Sequence, residues 1–153
     1  WGNNISGTGG FSKAGAGMLK LTGTNAYTGD TTITGGTLRV DGSIATSDLT
    51  VTAGGTLQGT GTVGNTALAG VLSPGNSVGT LTVDGNLTLQ DGAIYLYEIN
   101  ANQQADLVVV SGRTTIADGA LFELSADDGL VLGRLYPMIQ SGSLDGRFEN
   151  HST

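Results

Sequence analysis

Residues 75–79 of this 153-residue chain, Gly-Asn-Ser-Val-Gly, spell G-x-S-x-G, the sharp turn that presents a serine nucleophile in many hydrolases. The single histidine, His151, lies downstream of several aspartates, in the Ser–Asp–His order such a triad uses. That chemistry needs a strand entering the turn and a helix leaving it, so that Oγ stands exposed beside its base. Here Gly79 leads into TLTVDGNLTL, a strand and another turn, and Pro74 sits where the incoming strand is needed. His151 is third from the end, where chains usually fray. The sequence predicts a loop at Ser77, not a nucleophile.

Other chemical patterns meet the same test. Gly59-Thr60-Gly61-Thr62-Val63-Gly64 matches G-x-G-x-x-G, which binds a pyrophosphate only where a helix follows. None is predicted there, so these glycines read as a turn between short strands. Asp127-Asp128-Gly129 offers two carboxylates, whereas a calcium loop spreads its oxygen ligands over about twelve residues. Glu98 with Asp106, or Glu123 with Asp127, would be the carboxylate pairs for glycoside hydrolysis. Nothing in the sequence sets their separation, and solvated surface carboxylates are the expectation. Tyr95 and Tyr97 share a strand face, suited to stacking on a sugar or to closing the end of a core. Asn4, Asn86 and Asn150 head N-x-S/T triplets, which matter only in a eukaryotic secretory pathway. On these grounds no catalytic, cofactor-binding or metal-ligating residue is assigned, and no cofactor is expected.

The elements that would position such residues follow from composition. Glycine fills 27 of the 153 positions, against a usual share of ~7%, and threonine 21. Charged residues are only 12% and prolines number two. This suits many short strands joined by glycine turns, not a disordered or collagen-like chain. Cysteine is absent, which excludes disulfides and thiolate metal sites. The opening WGNNISGTGG has no signal-peptide pattern, and no stretch is apolar enough for a membrane-spanning helix. The chain reads as a segment excised from something longer. Charge is uneven: residues 1–80 balance three acids with three bases, and residues 81–153 carry the whole net −7. With no basic patch, nucleic acid is excluded as a partner.

Gly-Thr-Leu recurs at 36–38, 55–57 and 79–81. Around it TTITGGTLRV (31–40), LTVTAGGTLQG (49–59), LTLQDGAIYL (87–96) and TTIADGALFEL (114–124) share one plan: strand, glycine turn, strand. The apolar anchors Ile33, Val51, Leu89 and Ile116 imply a unit near twenty residues with loops of varying length. Within strands, threonine alternates with Val, Leu or Ile, the period of a half-buried strand. Without helices or hairpin dipeptides, the pattern predicts a solenoid. Parallel strands would stack about 4.8 Å apart, with threonine and asparagine ladders and one continuous apolar core. An antiparallel sandwich is the alternative.

Residues 9–40, GGFSKAGAGMLKLTGTNAYTGDTTITGGTLRV, resemble the autotransporter-associated β-strand repeat of bacterial type V passengers. The matching residues are Gly9, Gly10, Lys13, Gly15, Gly17, Leu19, Leu21, Gly23, Tyr27-Thr28-Gly29, Thr32, Ile33 and Gly36-Thr37-Leu38. GVLSPGNSVGTLTVDGNLTLQDGAIYLYEI, ADLVVVSGRTTIADGALFEL and GRLYPMIQSGSLDGRF are similar to the membrane-proximal end of such passengers. The likeness spans about residues 9–148.

This resemblance implies an all-β, right-handed parallel β-helix with a C-terminal capping or autochaperone region. Residues 1–89 would be β-helix coils, and residues 90–153 the autochaperone-like coils and cap of the same solenoid. It implies a non-enzymatic stem that nucleates passenger folding and supports translocation across the outer membrane, at the bacterial surface or outside the cell. Its partners would be its own upstream passenger domain and a downstream outer-membrane β-barrel. Five of eight aromatics (Tyr95, Tyr97, Phe122, Tyr136, Phe148) follow residue 90, which places the expected nucleus there. The alternative is an adhesive or self-associating surface module binding a host surface or sister passengers through its threonine faces.

Overall fold

The computed structural model of the chain describes residues 2, 4–126 and 129–149, and among them there is no helix. After β1 (Ser6–Gly7) the chain winds in coils that lay strands on three faces. The first coil supplies β2 (Phe11–Lys13), β3 (Met18–Leu21) and β4 (Ala26–Tyr27). The second supplies β5 (Thr31–Ile33), β6 (Gly36–Val40) and β7 (Ser43–Ile44). The third has β8 (Leu49–Val51), β9 (Gly55–Gly59) and β10 (Thr62–Val63), and the fourth β11 (Thr66–Leu68), β12 (Val71–Pro74) and β13 (Thr80–Val83). The fifth opens with β14 (Leu87–Leu89) and β15 (Ile94–Ile99) and closes with β16 (Leu107–Ile116). β16 turns a corner at Ser111–Gly112 into the sixth coil, which adds β17 (Leu121–Ala126) and β18 (Ile139–Gly146).

All the ladders between these strands are parallel. β3, β6, β9, β12, β15 and β17 stack as the first face. β7, β10, β13 and the start of β16 form the second; β2, β5, β8, β11, β14 and the end of β16 form the third. The architecture is a parallel β-helix, as the strand alternation and the family likeness anticipate.

The alternation decides which way each residue points. Ile33, Val51, Leu68, Leu89 and Ile116 form one inward column on the third face, in register from coil to coil. Leu38, Leu57, Leu72 and Tyr95 do the same on the first face, and Ile44, Val63, Val83 and Val110 on the second. Nearly all are fully buried. Each contributes on the order of 1.5–3 kcal/mol to a core that runs the length of the solenoid. At the alternate positions the outward column on the third face reads Thr32, Thr50, Ala67, Thr88 and Thr115, threonines interrupted once by alanine.

Two features of the repeat differ from the sequence pattern. The long interval between Val51 and Leu89 holds a whole coil whose anchor is Leu68. TALAGVLSP (66–74) escapes notice because its turn is cut to Ala69-Gly70 and its second strand lacks Gly-Thr-Leu. The three Gly-Thr-Leu triplets are also not equivalent. Those at 36–38 and 55–57 stack on the first face, whereas Gly79-Thr80-Leu81 begins the second-face strand β13.

Candidate functional site

The motifs with a chemical look gather on one corner, where the chain passes from the first face to the second. Tight turns occupy it in the early coils: Asp41-Gly42, then Gly59-Thr60-Gly61. Longer loops follow in succession: Gly75–Gly79, Asn100–Asp106, and the segment ending at Met138 before β18.

The G-x-G-x-x-G residues serve coil stacking. Gly59 has φ +118°, and a Cβ there would lie 2.1 Å from the Val40 carbonyl oxygen. A Cβ on Gly61 would lie 2.1 Å from the Gly42 oxygen, and one on Gly64 would lie 2.3 Å from that of Ser47. Each lets its coil rest on the backbone of the one before. β10 follows directly, so there is no helix N-terminus to take a phosphate.

G-x-S-x-G forms a strand–turn–strand. β12 runs into it through Pro74, so the sequence-based expectation that Pro74 excludes an incoming strand is corrected. Proline is tolerated because β15 pairs only with Val71 and Leu72, leaving Pro74 no ladder bond to the following coil. Gly75, at φ +81°, exchanges two backbone hydrogen bonds with Gly59, of 2.8 and 3.1 Å, closing the loop onto the previous coil. Ser77 is exposed at its tip and β13 begins at Thr80, so no helix presents its hydroxyl. His151, Asn150, Asp127 and Asp128 lie outside the described residues. Asn4 and Asn86 are exposed.

Asp106 is the chemically unusual residue of this corner. It is fully buried, and its carboxylate ties the Gly75–Gly79 loop to β15. Oδ1 accepts the Gly79 N–H at 2.8 Å and Oδ2 accepts the Glu98 N–H at 3.0 Å. Burial pushes its pKa up to about 6, against the pull of those two N–H groups and with a smaller push from the Glu98 charge. Glu98 is not its catalytic partner. The Glu98 side chain lies on the outer first face beside Glu123, whereas Asp106 is enclosed, so the two share no cleft.

Tyr95 and Tyr97 point inward and are buried, their rings edge-to-face at 5.8 Å. The sugar-stacking reading is excluded for them. Their hydroxyls donate to the Met138 and Pro137 carbonyls at 2.9 and 3.1 Å, pinning the approach to β18. Burial, and then the Asp106 charge, raises both phenol pKa values. Phe122 and Phe148 complete the cluster, and these two with Tyr136 are only half-buried in the last described coil.

Sequence reasoning missed the buried polar fastenings. Lys13 is 7% exposed and its Nζ donates to the carbonyls of Ala14, Gly15 and Gly35 at 2.8–3.0 Å, tying the first coil to the second. Its signal was present: two residues after Phe11 on a strand, it falls in the inward column of Ile33. Asn25 accepts from Ile5 N–H and donates to the Gly23 and Ser43 carbonyls, joining neighbouring turns. A hydroxyl chain runs Tyr27 Oη, Thr31 Oγ1, Ser47 Oγ at 2.6 and 2.7 Å and ends on the Gly29 carbonyl. Along the corner between the second and third faces the expected asparagine ladder is present. Asn65 Nδ2 donates to Asp48, and the Oδ1 atoms of Asn65 and Asn86 accept the backbone N–H of Asn86 and Arg113.

The buried groups at the loop corner, Asp106 and the two tyrosines among them, thus hold neighbouring coils together. Two comparisons agree with that architecture. Residues 11–40 match the model of the passenger-associated-transport-repeat. The chain is also 36% identical, over 98% of its own length, to an extracellular serine protease of Serratia marcescens. It spans about 15% of the length of that relative. With a transport repeat whose strands fill the first two coils and likeness along nearly its whole length, this chain is an autotransporter passenger region.

Proposed function

We propose that the chain is a non-enzymatic stem of an exported passenger, whose later coils, from about residue 90 to 153, nucleate folding and support passage across the outer membrane. The observation that carries the reading is the fastening of the fifth coil. Two buried tyrosines, the enclosed Asp106 and the corner-turning β16 lock its strands to the coils on either side. A solenoid grows by nearest-neighbour addition, so one well-fastened coil templates the next. No ATP is available outside the outer membrane, and each added coil makes retreat of the exported chain less favourable. An upstream passenger domain and a downstream outer-membrane β-barrel are the partners this role requires, with the product at the cell surface or released from it.

Deletion of residues 90–150 from the intact protein tests it. The expected result is loss of surface display and of protease resistance in the upstream coils; unchanged display would refute the folding role. Ser77→Ala leaves any hydrolytic activity of the whole protein intact. A second reading, adhesion, draws on the outward column Thr32, Thr50, Ala67, Thr88 and Thr115, a threonine-rich, uncharged strip along one face. Failure of the purified chain to coat cells would count against it.

A further inference from the structure

We propose that the third face carries a binding site for a neutral oligosaccharide, set in the middle coils where Ala67 breaks the outward threonine column. On coils two to five, Asp30, Asp48, Asn65 and Asn86 stand in one row at the corner, each directly before a residue of the inward register Thr31, Leu49, Thr66, Leu87. Two positions further along each coil comes the outward column. There Thr50 and Thr88 flank Ala67 from the coils on either side, two strand spacings or about 10 Å apart. The result is a hollow of about 430 Å³ lined by Ala67, the two threonines and the corner row. Coils two to five each have a neighbour above and below, so the hollow belongs to the body of the solenoid.

The polar groups around it are already fixed by bonds to the scaffold and to each other. Asn86 Oδ1 accepts the Arg113 N–H at 2.9 Å, which orients the amide and leaves Nδ2 as a donor. Asn65 Oδ1 accepts the Asn86 N–H at 2.9 Å, and its Nδ2 donates to Asp48 Oδ1 at 3.0 Å. Asp48 Oδ2 is thereby set as an acceptor beside the Thr50 hydroxyl. Adjacent hydroxyls on a sugar ring each donate and accept, so they answer a row in which amide, carboxylate and hydroxyl alternate. Groups held in advance lose little freedom when the ligand arrives.

The same surface turns other ligands away. β8, β11 and β14 are paired on both sides, so an extended peptide finds no open ladder edge. The lining holds the carboxylates of Asp30 and Asp48 and no lysine or arginine, which disfavours nucleic acid and acidic glycans. It also holds no aromatic ring, so binding rests on hydrogen bonds and is expected to be weak, about millimolar. The site gives the adhesive reading, on which it rests, a ligand of defined chemistry.

Titration of the isotope-labelled chain with cellotetraose, mannotetraose and chitotetraose, followed in amide correlation spectra, tests it. At least one of these neutral chains is expected to give saturable shifts centred on residues 65–67 and on the side-chain amide of Asn86, and the acidic tetragalacturonate none. Ala67→Thr completes the column with the residue its neighbours already carry, and is expected to weaken binding about tenfold with an unchanged circular dichroism spectrum. Asp48→Asn replaces a charged acceptor at an exposed position and is expected to weaken it about tenfold as well. No saturable shift with any of the three, shifts scattered over all faces, equal binding of tetragalacturonate, or binding unaltered in both variants overturns the proposal. A chain that coats cells yet binds none of these sugars removes the site and leaves adhesion standing; one that binds them at coil four without coating cells does the reverse.

Discussion

Asp106 makes the stability of this solenoid depend on pH in a direction opposite to that of most carboxylates. Its carboxyl is enclosed between the Gly75–Gly79 loop and β15, and burial raises its pKa from the ordinary 3.8 to about 6. The folded chain therefore holds the proton more tightly than the unfolded chain does. The resulting stabilisation is fully present below the unfolded value, declines as pH rises through about 6 and is gone above it. At 1.36 kcal/mol for each tenfold change in proton affinity, the swing amounts to about 2–3 kcal/mol. Asp106→Asn provides the reference. The amide cannot titrate, so its own contribution is the same at every pH, although its NH₂ faces one of the two N–H donors, Gly79 or Glu98, at a cost of about 1–2 kcal/mol relative to an acceptor there. Urea unfolding followed by circular dichroism, on both proteins at about pH 4 and about pH 7, reads the difference. The advantage of wild type over the variant is expected to shrink by about 2–3 kcal/mol across that interval, while contributions from other carboxylates cancel. An advantage that stays constant or widens with pH would falsify the reasoning, because the two N–H groups would then outweigh the burial.

Asp41 shows the ordinary sign. Burial opposes its ionisation, but Arg39 and Lys20 at 3.0 Å and the Thr60 N–H outweigh it and lower its pKa. Asp41→Asn is therefore expected to cost about 1 kcal/mol at neutral pH and progressively less as pH falls below about 4, measured by the same titration. Gly61→Ala forces a methyl to within 2.1 Å of the Gly42 oxygen and is expected to lower stability by about 2–4 kcal/mol. Gly9→Ala, which meets nothing within 4 Å, should change it by no more than about 0.5 kcal/mol; equal effects at the two sites would refute the stacking role. Lys13→Met removes three bonds to carbonyls and is expected to cost about 2 kcal/mol, with faster amide exchange in the first two coils than in the fifth.

Legibility in the sequence followed the periodicity. Residues such as Thr32-Ile33-Thr34 and Leu49-Thr50-Val51 announce their inward and outward positions by alternation alone, and the inward columns formed as that alternation requires. The coil at 66–74 was hidden because a short turn removes the Gly-Gly signature while leaving the geometry unchanged. The burial of Asp106 gave no signal, because it follows the polar run NANQQA and reads as a solvated loop carboxylate. Only the return of the chain into β16 encloses it. The serine and glycine motifs matched hydrolase and nucleotide patterns because tight corners need the same small residues. What separates those readings is the element that follows the turn, here a strand each time.

The ten-residue strand β16 is the mechanical hinge pin of the molecule. The earlier coils meet their neighbours through strands of two to five residues with corners between, so a force that draws out one end unzips them a short strand at a time. β16 carries its pairing round the corner, with β13 and β14 on one side and β18 on the other, and cannot yield one face without loading the second. Within the described coils, tension along the chain is therefore expected to meet its greatest resistance at the fifth coil.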